Sequence, residues 1–500
     1  MSSHYRFAYP NMLRQGPYPR DLRFVTRDGY EYKLRAQGAD STSIQGAGGR
    51  RREPTADWVQ FTGSVCVDSI VLAAEPSVGA LRGALTLASF VAAAAATQGA
   101  FKGGEGTLTA DFYHPTGGGG GSCPFVYSND GRGWVFEAEP FAGAVFRGMQ
   151  RTTVDRLDHS GLTKGIARLK ITCELDETEH IEQLRFQVID HAVGTIIIPA
   201  EDGRLCVLGA VESPIWAMDS DGLDAMDFIT ESDEQEWSAS LAGRDPDQPD
   251  QVRAGLTIAF QRPPDATEAV LVLDLKNTPW ATRMLREVLE LNGRELESWY
   301  TTLNTSPLVR SAFLNALNRE AMLQVAIRED DSWRPCGRVG AVGHGVNKLT
   351  AVVVDLAGST GDTVTIRLDS GAGFWAIDRI GIGFFPTDPV AVTTLEPTMA
   401  RDQDGHDLRD ALRSVDGVYY EMPTTQDWAE LEFTVPPAGI SCQRSFVLET
   451  TGYYKMHIHP EGEPRQDLLA RFMVEPGAFA AYSMERYREV VSAQAERGQP

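Results

Sequence analysis

The feature that most constrains this chain is a nine-residue acidic pattern that occurs twice. Asp219-Ser220-Asp221-Gly222-Leu223-Asp224-Ala225-Met226-Asp227 and Asp402-Gln403-Asp404-Gly405-His406-Asp407-Leu408-Arg409-Asp410 both read D-x-D-G-x-D-x-x-D, and Ala217 and Ala400 stand two residues ahead. Self-similarity at this distance, 183 positions, marks a repeated unit of domain size. The flanks repeat too. Upstream, Ile181, Leu184, Phe186 and Val188 have the spacing of Ile377, Ile380, Ile382 and Phe384, and the last three of each set alternate as one buried strand face should. Downstream, Leu256, Ile258 and Phe260 precede Pro263-Pro264, as Leu431, Phe433 and Val435 precede Pro436-Pro437. Strand-length runs broken by turn signals predict two antiparallel β-sandwiches of immunoglobulin-like or jelly-roll type.

The pattern along the rest of the chain predicts a mainly β protein with accessory helices. Residues 1–77 read as an extended arm and a small β-barrel or roll, with a hairpin about Asp28-Gly29. Residues 78–101 are Ala-rich, helical in composition and uncharged from Gly83 to Phe101; this stretch is a candidate membrane contact. Residues 102–122 read as a Gly-rich linker, with five glycines at 117–121. The first sandwich, entered through a hairpin at Asn129-Asp130-Gly131, is expected over 123–278 and the second over 331–460. A helical insert is expected over 279–330 and C-terminal helices over 461–500.

Charge narrows the partners. The chain carries a net charge of -23, yet residues 1–80 hold ten basic and eight acidic side chains. An acidic body repels phosphate backbones, so nucleic acid is not an expected partner. The six cysteines form no CxxC pair and read as thiols among apolar strand residues.

Two readings of the acidic loops stand open. Asp219, Asp221, Asp224, Asp227, Asp402, Asp404, Asp407 and Asp410 could supply hard oxygen ligands to calcium, the one cofactor the sequence suggests. Yet the glycine falls at the fourth position rather than the sixth of an EF-hand loop, and no Glu closes the twelfth. In the other reading Asp-Gly makes a turn and Asp224 or Asp407 caps a short helix. His457-Ile458-His459 and the neighbours Glu137 and Glu139 are the remaining candidates for chemistry. There is no G-x-S-x-G, P-loop or H-E-x-x-H. The Gly340–Gly345 run lacks dinucleotide spacing.

Residues 122–152, with Cys123-Pro124-Phe125-Val126-Tyr127-Ser128-Asn129-Asp130-Gly131 and Glu137-Ala138-Glu139-Pro140, resemble an uncharacterised bacterial membrane-associated family, as does Thr451-Gly452-Tyr453-Tyr454. The resemblance implies tandem β-sandwiches behind a small N-terminal β-domain and a hydrophobic segment, and brings no activity. The long Gly-rich join departs from it. Phe374-Trp375-Ala376-Ile377-Asp378-Arg379-Ile380 resembles the late strand of galactose-binding-like jelly rolls. The expected function is that of a non-catalytic structural subunit. It would be membrane-associated and would brace the protein subunits of a larger membrane complex, for example an energy-transducing one. The alternative is a calcium-dependent carbohydrate-binding pair of sandwiches.

Overall fold

A computed structural model describes the backbone of six N-terminal strands between Ser2 and Tyr113. It also describes the chain from Pro124 to Arg497, apart from residues 360, 387–390 and 440–441, with side chains to residue 493. The fold is mainly β with antiparallel sheets and few helices, as the alternating patterns predict.

The N-terminal unit holds β1 (Ser2–Ala8), β2 (Leu22–Val25), β3 (Glu31–Ala36), β4 (Thr42–Gly46), β5 (Trp58–Ser64) and β6 (Thr107–Tyr113). The predicted hairpin is β2–β3, with Leu22 opposite Leu34. The six strands form two three-stranded sheets, β1-β6-β5 and β2-β3-β4, with no barrel closed among the described residues. Residues 78–101 and the five-glycine run lie outside the described residues. The expected linker is corrected in one respect: β6 lies inside it and is the central strand of its sheet. Thr107-Leu108-Thr109-Ala110-Asp111-Phe112-Tyr113 is rich in strand formers, but the glycines around it mask the signal.

The second unit begins with β7 (Phe125–Asn129), β8 (Trp134–Ala138), β9 (Arg151–Leu157), β10 (Ile166–Thr172) and β11 (Glu177–Ala192). A hairpin of β12 (Ile196–Pro199) and β13 (Leu205–Leu208) leads to β14 (Trp216–Asp219), α1 (Met226–Ile229), β15 (Arg253–Gln261) and β16 (Glu268–Asn277). Then come α2 (Pro279–Glu290), α3 (Leu296–Thr305) and α4 (Pro307–Glu320). Thr278 and Ser306 cap α2 and α4 by accepting the N–H of Ala281 and Val309, each with proline at the first helical turn. The helical insert expected over 279–330 is these three helices, and the chain breaks between α2 and α3. Gly293 adopts φ +49° where Gly462 passes so close that a Cβ would lie 2.5 Å from its carbonyl oxygen.

The repeat resumes with β17 (Leu323–Glu329), β18 (Ser332–Val339), β19 (Lys348–Asp355), β20 (Thr363–Gly371) and β21 (Trp375–Phe384). It continues through β22 (Val392–Leu395), β23 (Met399–Asp402), β24 (Tyr420–Met422), β25 (Trp428–Thr434) and β26 (Cys442–Met456). Helices α5 (Gln466–Val474) and α6 (Ala478–Arg497) close the chain.

The sheets do not follow the two contiguous segments. One sandwich packs β23-β25-β10-β7-β8 against β22-β11-β26-β9, and the other packs β14-β15-β20-β17-β18 against β19-β16-β21. Position by position the two orders are the same: β23, β25, β10, β7 and β8 stand where β14, β15, β20, β17 and β18 stand. Each sandwich thus joins the first five strands of one copy to the later strands of the other. The expected boundaries at 123–278 and 331–460 are corrected accordingly, because neither segment closes a sandwich by itself. Sequence similarity identifies equivalent strands but not which copy they pair with, since exchanged and unexchanged pairings present the same local contacts.

The same topology explains an irregularity in the repeat. Ile181 and Leu184, like Ile377 and Ile380, are three apart rather than two. A β-bulge interrupts both strands, skipping Glu182 in β11 and Asp378 in β21. Both skipped residues are buried acids, and Glu182 accepts the side-chain amide of Gln150 and the N–H of Gly417. The cores are Phe186, Phe433, Leu431 and Tyr454 in the first sandwich, and Phe260, Leu271, Ile366 and Ile380 in the second. Of the cysteines, Cys173 and Cys206 are buried free thiols, Cys336 is half-buried and Cys442 is exposed, the last against expectation.

Candidate functional site

The two acidic loops follow edge strands β14 and β23 and are built alike. Asp219 Oδ1 accepts the N–H groups of Asp221 and Leu223, both at 2.9 Å; Asp402 Oδ1 accepts those of Asp404 (3.0 Å) and His406 (2.8 Å). Asp224 and Asp407 accept the N–H two residues on, from Met226 and Arg409. Gly222 and Gly405 sit at φ +79° and +86°, a conformation that favours glycine and explains the shared D-G. These contacts are those of the turn reading. A short helix follows in the first copy only, α1, beginning at Met226.

The eight aspartates are not gathered into one cluster. Asp221 pairs with Arg244, Asp407 with Arg409, and Asp410 with Arg413. The Arg409 guanidinium holds the Asp407 carboxyl down at about 2. Asp402, Asp404 and His406 alone among the described residues bring three ligand-type atoms within 4.8 Å of one another. Burial pushes the Asp402 carboxyl up, but hydrogen bonds from His406 outweigh this and hold it below its ordinary value. In the first copy Leu223 occupies the place of His406, so this grouping is not repeated. One half-buried carboxylate, one exposed carboxylate and one imidazole fall well short of the six to eight oxygens calcium takes.

The other sequence candidates serve the fold. Glu137 accepts the hydroxyl of Ser128 and the N–H groups of Asp158 (2.9 Å) and His159 (2.8 Å). Glu139 accepts the N–H groups of His344 and Gly345, so it holds the Gly340–Gly345 run in place; a Cβ on Gly343 would lie 2.4 Å from its carboxylate. His457 lies just past the end of β26 rather than on a strand, its two ring nitrogens 2.9 Å from Asp176 and 2.8 Å from Thr178; His459 is exposed.

Two features escaped the sequence. Glu177 and Glu179 occupy core-facing positions of β11 and are fully buried. Burial, reinforced by the charge of Glu177, pushes the Glu179 carboxyl well above its ordinary value. Their alternation with Ile181 was a signal that could have placed them on the buried face. The second feature is an apolar cavity of about 480 Å³ between α2, α3, α4 and α5. Leu285, Trp299, Phe313, Leu317, Leu469 and Phe472 line it, a surface suited to an apolar body and not to a charged one. Helices distant in sequence meet there, which no local pattern could foretell.

No protein-family model matches this chain, and no curated protein matches it. The reading of its function therefore rests on its own residues.

Proposed function

We propose that this protein is a non-catalytic structural subunit that braces a larger protein assembly at a membrane. The observation that carries this reading is the exchange of halves between the two sandwiches. The chain leaves the first sandwich after β11 and re-enters it after β21, so the second sandwich is tethered to the first at both of its ends. Contacts between them are partly buried and specific: Lys348 pairs with Asp155 at 2.7 Å, and Arg151 donates to the Ala341 carbonyl at 2.9 Å. A body tied in this way suits holding partners in fixed relation. Glu137, Glu139, His457 and Asp219 are committed to turns and loops, which accords with a load-transmitting rather than a chemical role.

The membrane contact in this reading falls in residues 78–101, outside the described residues. Among the described residues no helix is long and apolar enough to cross a membrane. Gentle detergent extraction followed by native electrophoresis and mass spectrometry tests the proposal. The expected result is co-migration with other subunits at fixed stoichiometry, and loss of the assembled complex when the chain is removed. Recovery as a free monomer in the soluble fraction overturns it.

A further inference from the structure

We infer that the edge of the second sandwich around β14 is a docking surface for a partner protein presenting an apolar segment flanked by lysine or arginine. This rests on the bracing role and names where one partner is held.

Five large apolar side chains are exposed within one short stretch: Ile215 (56%), Trp216 (42%), Met218 (36%), Leu223 (65%) and Phe228 (43%). They belong together in space. Trp216 and Met218 project from the same side of β14. The loop folds back on that strand, with the Asp219 N–H donating to the Leu223 carbonyl at 2.9 Å and the Ala225 N–H to the Ala217 carbonyl at 3.2 Å. Phe228 follows in α1, its N–H donating to Ala225. Together they offer roughly 400 Å² of apolar surface, within the range of the largest patch on an ordinary monomer. Size alone therefore decides nothing.

The second copy supplies the control. Its loop makes the same main-chain bonds, Asp402 N–H to His406 and Leu408 N–H to Ala400. Buried positions are apolar in both: Ala217, Ala225 and Ile229 in one, Ala400, Leu408 and Leu412 in the other. The exposed positions are not kept. Where the first copy has Ile215, Met218 and Leu223, the second has Thr398, Arg401 and His406, exposed and polar or charged; Trp216 and Phe228 answer to Met399 and Ala411, which are smaller and half-buried. The fold thus needs the inner set and is indifferent to the outer one. An apolar outer set on one copy alone has no role in stability that the other copy shares, and exposing it to water is unfavourable unless something covers it.

Geometry and charge define the occupant. The outer edge of Ala217–Asp219 is already closed by residues 223–225, so the partner is recognised by side chains rather than by adding a strand. Trp216, on the same side of β14 as Met218, is the kind of aromatic anchor on which interfaces concentrate their binding energy. Asp224, Asp227 and Glu231 rim the patch, exposed and without a basic partner among the described residues. This rim favours lysine or arginine on the partner and repels both a second copy of the same acidic surface and an anionic bilayer.

The test places the photo-crosslinker p-benzoylphenylalanine at position 228 of the full chain, in cells that make it, with position 411 as control. The expected adduct, from position 228 only, joins a different polypeptide through an apolar segment flanked by lysine or arginine. That segment, made as a peptide, should bind the native chain at least ~10-fold more tightly than the Ile215→Thr, Met218→Arg, Leu223→His, Phe228→Ala chain, and more weakly as salt rises. These four residues are ones the other copy already carries in the same geometry, and an unchanged unfolding curve checks that the fold is kept. Adducts only between copies of this chain, only with lipid, equally from both positions or from neither overturn the inference, as does peptide binding indifferent to the four replacements. A fixed-stoichiometry complex that crosslinks elsewhere would sink this surface and leave the bracing role standing. A specific crosslink and peptide affinity in a chain otherwise extracted as a free monomer would do the reverse.

Discussion

Lys348 on β19 reaches Asp155 on β9, its Nζ 2.7 Å from Oδ1, with only 14% and 4% of the two side chains exposed. Thr153 donates its hydroxyl to the other carboxylate oxygen at 3.0 Å. The pair joins the two sandwiches in a poorly solvated place, where removing one partner strands a charge. Asp155→Asn and Lys348→Met should each cost about 3 kcal/mol in chemical denaturation, and the double variant well under the sum. Additive losses would show that the two residues act independently.

The acidic loops yield a second prediction. Asp219→Ala or Asp402→Ala removes the acceptor of two main-chain N–H groups and should cost about 1–2 kcal/mol. Asparagine keeps one acceptor oxygen, so Asp219→Asn and Asp402→Asn should retain most of that stability. Urea unfolding with and without calcium separates the two readings of these loops. A calcium site would show a calcium-dependent rise in stability that the asparagine variants lose.

Glu179 sets a pH dependence. Its carboxyl titrates well above the ordinary value because burial, with Glu177 beside it, disfavours the charge. The folded chain therefore holds this proton where the unfolded chain has released it. The proton's contribution to stability is fully present below the ordinary carboxylate range and is lost as pH rises from there toward the folded value. Glu179→Gln cannot ionise. The variant should gain stability relative to the native chain as pH rises from about 4.5 toward neutrality and above, read from unfolding midpoints across that range. A stability difference that does not change with pH would refute the assignment.

The exchanged topology makes an opposite forecast from contiguous repeats. Residues 194–386 contain the whole of the second sandwich and should unfold cooperatively as an isolated fragment. Residues 123–278 hold half of each sandwich and should remain unfolded, or dimerise to recover the missing strands. Circular dichroism and gel filtration of the two fragments decide it; a stable monomeric 123–278 fragment would contradict the pairing described here.

Much of this architecture was legible in the residues. Alternation marked the buried faces of β11 and β21, and the repeated D-x-D-G fixed two equivalent turns. These signals are local: they depend on side-chain period and on a φ that favours glycine. What the tertiary structure alone decided was partnership. The two copies present nearly interchangeable strands, so no local pattern could say that β10 pairs with β25, or that Lys348 meets Asp155 across the junction. Nor could composition separate Leu223 from His406 in meaning, since both stand at one position of one motif. Both are exposed, and what sets the first apart is its exposed apolar neighbours Trp216 and Met218. Sequence determined the units, and long-range packing decided which halves closed each core and which surfaces were left open.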